Sequence, residues 1–267
     1  MSKKTRVDVL LVDRGLVESR SLAQRLVMAG QVRADGQVVS KSSNKVAANV
    51  TLTIDHGPRF VSRGGDKLAA AFESFDLDVT GKICADVGAS TGGFTDCLLQ
   101  NGSEKVYAID VGKGILHWKM RKHPRVAVME GTNARYVAEL PEPIKFVTID
   151  ASFISLKILL PVILNWGKTF DVLALIKPQF EAGRKQVARG KGVVRDPEIH
   201  RQVLLEILAF AVAAGYELKG LGKSPVLGPK GNVEFLGWLS FPKRDPTAEI
   251  SISDIVATVV QIPEIDE

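Results

Sequence analysis

Cysteine is nearly absent from this chain: Cys84 and Cys97 are its only two in 267 residues, and they form no CxxC pair. That excludes a disulfide framework and the small secreted scaffolds that depend on one. Histidine is also sparse, with four. His56, His117, His123 and His200 are scattered, no His, Cys and carboxylate cluster has metal-ligand spacing, and no metal is expected. No run of about 18 apolar residues occurs. The longest apolar runs, residues 158–164 and 207–214, suit buried helices. The opening stretch MSKKTRVDVLLVDRG is broken by charge before an apolar signal core could form. These absences predict a cytoplasmic chain with no membrane partner.

What is present is enough to build a packed core. Hydrophobic residues make up 45% and charged residues 24%, the proportions of a soluble domain. The length suits one large domain with a small appendage. A net charge of +5 favours an anionic partner only weakly.

Residues 1–58 differ from the rest. The pattern RVDVLLVDRG predicts a short helix ended by Gly15. A second helix follows in SRSLAQRLVMAG, with Ser19 as N-cap and Gly30 as stop. Asp35-Gly36 then marks a hairpin turn, and NVTLTI a further strand. Arg6, Arg20, Arg25, Arg33, Lys41 and Lys45 are distributed along this unit. Charge alone fits a solvated face as well as an RNA-binding one. The order of elements resembles the alpha-L RNA-binding motif of a small-subunit ribosomal protein, pseudouridine synthases and tyrosyl-tRNA synthetases. The resemblance implies contacts to RNA backbone that weaken with salt. Residues 59–65, with Gly64-Gly65, read as the joint.

From residue 82 the chain alternates strand and helix, over a domain expected to span 66–243. The strands KICADVGA, KVYAIDVG, RVAVME, KFVTIDAS and FDVLALIKP are Val/Ile/Leu-rich without alternation, as in a parallel sheet buried on both faces. The expected class is α/β, a Rossmann-like doubly wound sheet. The first strand–helix turn holds Asp86, Gly88, Ala89, Ser90, Thr91, Gly92 and Gly93. Its glycine spacing is not the nicotinamide fingerprint G-x-G-x-x-G. Asp110 ends the next strand, where an acidic group can hold ribose hydroxyls. S-adenosylmethionine needs this close backbone and carboxylate. A glycine-rich turn can also serve helix–sheet packing alone.

Ligands of a parallel sheet sit outside the C-terminal ends of its strands. Asp150 ends KFVTID and Lys177 ends DVLALIK. Glu234 is the one carboxylate in GNVEFLGWLS, which reads as an antiparallel strand starting at the same rim. Lys67 could reach that rim from the helix preceding the first strand. Lys67, Asp150, Lys177 and Glu234 suit methyl transfer to a sugar hydroxyl, whose proton a neutral lysine amine could take. Singly, each would more simply be a surface ion pair. Two other methyl chemistries find no support. DASFISL replaces the Asn/Asp-Pro-Pro-aromatic run of adenine N-methylation, and Cys84 and Cys97 read as core residues rather than nucleophiles.

The runs VSRGGDKL, DVGASTGGFTDCLL, IDVGKGIL, GTNAR, IDASFISL, IKPQFEAGR, GVVRDPEIH and SPVLGPKGNVEF together resemble the TlyA-type proteins. These were named as hemolysins but act as 2′-O-methyltransferases on cytidines of ribosomal RNA, with an FtsJ/RrmJ-like domain. The resemblance covers roughly residues 5–242. It implies S-adenosylmethionine as donor, with Asn133 of GTNAR in its site. It implies ribosomal RNA or ribosomal subunits as partner, and Lys67, Asp150, Lys177 and Glu234 as catalytic set. A membrane-active hemolysin and a non-catalytic RNA-binding assembly factor are the alternatives. The missing membrane span opposes the first, and the intact tetrad opposes the second. The tail, residues 244–267, suggests at most a short surface helix.

Overall fold

The computed structural model describes residues 4–55, 57–183, 190–243 and 250–261. The chain divides into two compact units, Met1–Arg59 and Phe60–Glu267.

In the first unit, β1 (Lys4–Arg6) leads into α1 (Val7–Asp13), and α2 (Arg20–Met28) follows. Ser19 starts α2 by accepting the Leu22 N–H on its hydroxyl at 3.3 Å. Next come β2 (Val32–Ala34), β3 (Gln37–Val38), β4 (Lys45–Ala47) and β5 (Leu52–Ile54). Asp35 and Gly36 both take positive φ, 46° and 81°, which closes the β2–β3 hairpin as a type I′ turn. The short sheet runs β3-β2-β5, and β1 pairs antiparallel with β4, a pairing not legible in the sequence. Val7, Leu11, Ala23, Val27 and Val32 are buried between helices and strands.

The second unit is built on a seven-stranded sheet. Its elements are α3 (Gly64–Ser74), β6 (Ile83–Val87), α4 (Gly93–Gln100), β7 (Lys105–Asp110), α5 (Trp118–Arg121), β8 (Val126–Glu130), β9 (Phe146–Ile149), α6 (Leu156–Ile163), β10 (Phe170–Ile176), α7 (Pro178–Glu181), α8 (Pro197–Ala213), β11 (Glu217–Lys223), β12 (Phe235–Phe241) and α9 (Ile252–Val259). The strand order is β11-β12-β10-β9-β6-β7-β8. Strands β8, β7, β6, β9 and β10 are parallel, and β12 runs antiparallel between β10 and β11. The order reverses between β6 and β9, which opens a crevice at their C-terminal ends.

One apolar layer packs α3 and α4 against the sheet through Leu68, Ala71, Phe94 and Leu98. The other face is covered by α6 and α8 through Leu159, Leu160, Leu204 and Leu208. Each such fully buried leucine contributes roughly 1.5–3 kcal/mol. Phe60, in the stretch expected to be a joint, is 2% exposed and belongs to the first layer. The tail is more than a surface helix: Val256 of α9 and Val260 just after it are buried in the second layer. The remainder of that tail, residues 244–249 and 262–267, lies outside the described residues.

Candidate active site

The turn after β6 is held in place by two carboxylates. Gly88 has φ +84°, and a Cβ there would lie 2.5 Å from the Asp150 carbonyl oxygen. Only glycine allows that approach of the turn to the end of β9. Asp110 Oδ2 accepts the Ser90 N–H at 2.8 Å, and its Oδ1 accepts the Gly112 N–H at 2.7 Å. Asp110 therefore ties the turn to the β7 loop, and each oxygen keeps a lone pair for a ligand. Asp86 is fully buried beneath the turn. It accepts Thr95 Oγ1–H at 2.6 Å and Thr148 Oγ1–H at 2.9 Å. Burial pushes its carboxyl up to about 6, against the pull of the threonine bonds.

A cavity of about 380 Å³ opens over this turn. Its polar lining includes Gly88, Ser90, Asp110, Asn133 and Asp150, and its apolar lining Val111, Ile115, Ala134 and Ile154. The residues fit S-adenosylmethionine. An apolar slot suits a purine, Asp110 a ribose diol, and Asp150 a cationic centre. Of the expected cofactor residues, Asp86, Thr91, Gly92, Gly93 and Ala89 lie outside this lining. Gly92 instead starts α4, with φ +97°.

A second cleft of about 250 Å³ is lined by Arg63, Lys67, Gly88, Ala89, Ser90, Gly93 and Asp150 among others. The two cavities meet at Gly88, Ser90 and Asp150. Around that junction the four expected catalytic residues form two ion pairs. Lys177 Nζ lies 2.5 Å from Asp150 Oδ1 and donates to Ser152 Oγ at 3.3 Å. Lys67 Nζ lies 2.5 Å from Glu234 Oε2. Phe235 pairs with Ile176 across β12 and β10, so Glu234 stands beside Lys177 at the sheet's rim. Glu234 is fully buried, with Lys67 and Lys177 also buried. Gly228 lies so close over Glu234 that a Cβ would overlap its carboxylate. Among the described residues no group of His, Cys, Asp and Glu could hold a metal. Both cysteines are buried, and burial pushes the Cys84 thiol up to about 12.

In the first unit, Asp8 is fully buried and organises two of the expected RNA-binding residues. It accepts Arg6 through both oxygens at 3.0 Å, and Arg20 at 3.1 Å, with Gln24 at 3.0 Å. The Arg6 guanidinium is the main cause holding its carboxyl well below the ordinary carboxylate range. Arg25 donates to Ser21 Oγ, and Arg33 to the Gly36 carbonyl. Lys41 is exposed. Arg14, which the sequence did not single out, donates to the Val50 and Ala48 carbonyls at 2.6 Å.

The model of the FtsJ-like methyltransferase family matches residues 60–241. The chain belongs to the FtsJ-like methyltransferases. Residues 5–52 match the S4 domain. A Bacillus subtilis protein, YqxC, whose name assigns it provisionally to the rRNA methyltransferases, is 49% identical, covering 90% of this chain and 87% of its own. The Mycobacterium tuberculosis 16S/23S rRNA (cytidine-2′-O)-methyltransferase TlyA is 44% identical, over 90% of this chain and 91% of its own. A solved structure from Streptococcus thermophilus, provisionally labelled a hemolysin, is 44% identical, with TM-score 0.70 over 97% of this chain and 96% of that one. A Listeria monocytogenes protein, named provisionally as an S-adenosylmethionine-dependent methyltransferase, shares the fold alone, at 14% identity and TM-score 0.51 over 67% of this chain and 99% of that one. Among the described residues no helix is long and apolar enough to cross a membrane.

In this FtsJ-like methyltransferase, three side chains at the rim escaped sequence reasoning. Ser152 bonds Lys177, and Gln179 Nε2 donates to Glu234 Oε1 at 3.2 Å. Glu181 accepts Ser155 Oγ–H at 2.5 Å and the Leu156 N–H at 2.8 Å, which anchors the start of α6 to α7. Each follows a strand-end charge by two to four positions, and that short polar spacing is the signal that was available.

Proposed function

We propose that this protein transfers a methyl group from S-adenosylmethionine to the ribose 2′ oxygen of a cytidine in ribosomal RNA, on cytoplasmic ribosomal subunits. The observation that carries the reading is the meeting of two cavities at Asp150, with Lys177 2.5 Å from its carboxylate. One cavity suits the donor and the other an extended sugar–phosphate strand. The identity to cytidine-2′-O-methyltransferases over 90% of the chain supports the choice of atom and base.

The donor supplies an electrophilic methyl carbon on a cationic sulfur. Gly88, Ser90, Asp110 and Asn133 would hold it, with Asp110 on the ribose diol and Asp150 toward the positive centre. Lys67 lines the acceptor cleft and, oriented by Glu234, attracts the 2′ oxygen. Lys177, entering the step as its neutral amine, accepts the hydroxyl proton as the oxygen bonds the methyl. Asp150 and Ser152 hold its amine in place for that step. General-base help of this kind is worth roughly 100- to 10,000-fold, and alignment supplies much of the remainder. The S4 unit recruits the substrate through Arg25, Arg33 and Lys41, with Arg6 and Arg20 presented by Asp8.

The test is methyl transfer from radiolabelled S-adenosylmethionine to isolated ribosomal subunits lacking the modification, with mass mapping of the product. Label on a cytidine 2′ oxygen is expected. Label on a base or on protein overturns the assignment, as does no label on either subunit.

A further inference from the structure

Gln179 is the polar residue of the catalytic rim that the proposed reaction leaves unused. It lies two positions past Lys177, in the short helix α7, and is 7% exposed. The two oxygens of Glu234 are divided between partners: Lys67 on Oε2 and Gln179 Nε2 on Oε1. The amide nitrogen must be the atom facing Glu234, because an ionised carboxylate only accepts. That orientation leaves Gln179 Oε1 buried with no hydrogen-bond partner. Among the described residues only Ser103 Oγ and Trp238 Nε1 share that condition, and neither belongs to the rim.

Buried carbonyl oxygens are paired as a rule. The donor for this one is therefore sought among groups that change during the reaction. Lys177 is such a group. Its amine already serves Asp150 Oδ1 and Ser152 Oγ. Proton uptake gives it a third N–H, and the 2′ oxygen that released the proton becomes a methyl ether, a weaker acceptor. The strand register sets Lys177 beside Glu234, and Glu234 is the residue Gln179 touches.

We infer that Gln179 is a positioning residue for the methyl transfer. Its amide nitrogen fixes the Glu234–Lys67 pair against the Lys177 turn. Its amide oxygen takes an N–H of Lys177 once that amine has accepted the ribose proton. In that step the O2′–H bond breaks and an N–H bond forms on Lys177. The 2′ oxygen bonds the methyl carbon, and the carbon–sulfur electron pair returns to sulfur. The inference rests on the methyl-transfer function proposed above.

Full-length Gln179→Met and Gln179→Asn test it, with S-adenosylmethionine and unmodified ribosomal subunits. Methionine keeps the volume and removes both polar ends, and asparagine keeps the amide one methylene short. Both are expected to bind cofactor and RNA with wild-type affinity. Single-turnover rates at saturation should fall about 10- to 100-fold, as for a misplaced reacting group. In Gln179→Met the relief of an unpaired buried oxygen is set against the loss of the amide donor to Glu234 Oε1, so Tm serves only to certify that the variant is folded. A folded variant within twofold of the wild-type rate overturns the inference. So does a rate loss mirrored by an equal loss of cofactor or RNA affinity. If Gln179→Met does not fold, Gln179→Asn decides by the same criteria. Wild type and Lys177→Ala run alongside. An inactive wild type removes the methyl-transfer reading and this inference with it. Active wild type and inactive Lys177→Ala beside a full-rate Gln179→Met remove this inference alone.

Discussion

The Asp150 carbonyl oxygen lies 2.5 Å from where a Cβ on Gly88 would sit, and Gly88 holds φ +84°. The cavities proposed for donor and acceptor share both residues, so this approach fixes the distance across the junction. Gly88→Ala should cost about 1–3 kcal/mol from the left-handed backbone and push β9's end away from the turn. Cofactor affinity should fall at least about tenfold, the weight of some 1.4 kcal/mol. Calorimetry on the folded variant measures it. Unchanged affinity would mean that the donor does not need the close approach.

Much of this site is legible in the sequence because its charges stand at strand ends. Asp110, Asp150 and Lys177 each follow a largely apolar run, and a parallel sheet sends all such ends to one rim. Glu234 is legible for a related reason, as a carboxylate at the mouth of an apolar strand. What the sequence hides is the pairing. Lys67 and Glu234 are 167 positions apart, and only the antiparallel insertion of β12 beside β10 joins them. Asp86 shows the opposite failure. It stands one residue inside the end of its strand, in register with Ala108 rather than Asp110, and it turns to Thr95 and Thr148 rather than to the cavity. Pattern alone does not separate a carboxylate that faces a ligand from one that braces a turn. The buried Asp8 was missed because its two arginine partners read as an exposed basic face.

Asp86 makes a pH prediction with a definite sign. Its folded carboxyl titrates near 6, raised mainly by burial, against about 3.9 in an unfolded chain. Between those values the folded state holds the extra proton, so stability falls as pH rises from about 4 to 6. Above 6 the full cost is in place, on the order of 3 kcal/mol. Asp86→Asn removes it, because Thr148 can turn its hydroxyl toward the Ala85 carbonyl, 3.5 Å away, and accept from the new amide. The variant should be more stable than wild type at pH 7 and lose that advantage near pH 4. Denaturant unfolding across this range decides it. A constant difference at every pH would assign Asp86 no titration in the window.

Asp8 should act in the other direction. Its carboxyl is held below the ordinary range, chiefly by Arg6, so the stability it gives is present above about pH 4 and lost as pH falls below it. Asp8→Asn should weaken the S4 unit at pH 7 and flatten its acid sensitivity. In RNA binding it should free Arg6 and Arg20 without removing their charge. Arg25→Ala and Lys41→Ala should instead lower the slope of log affinity against log salt, by about one for each phosphate no longer neutralised. Filter binding from 50 to 300 mM salt separates the two effects. An unchanged slope in both charge-removal variants would take Arg25 and Lys41 out of the RNA interface.

Lys177 is the residue on which the proposed chemistry turns. It is buried, follows the last residue of β10 directly before Pro178, and is held by Asp150 and Ser152. Lys177→Ala should leave cofactor and RNA binding intact, because the cofactor cavity is lined without it. Its single-turnover rate should fall at least about 100-fold, the lower bound for a lost general base. Lys177→Arg should not restore it, because a guanidinium stays protonated. Lys67→Ala has a different expected profile. Lys67 lines the acceptor cleft and is the cation that neutralises the buried Glu234. Its loss should cost stability of about 3–5 kcal/mol, as when one member of a buried pair is removed, along with rate. Rates and unfolding midpoints measured on both variants distinguish a proton acceptor from a positioning cation. A Lys177→Ala or Lys177→Arg enzyme turning over near the wild-type rate would transfer the proton-accepting role away from Lys177.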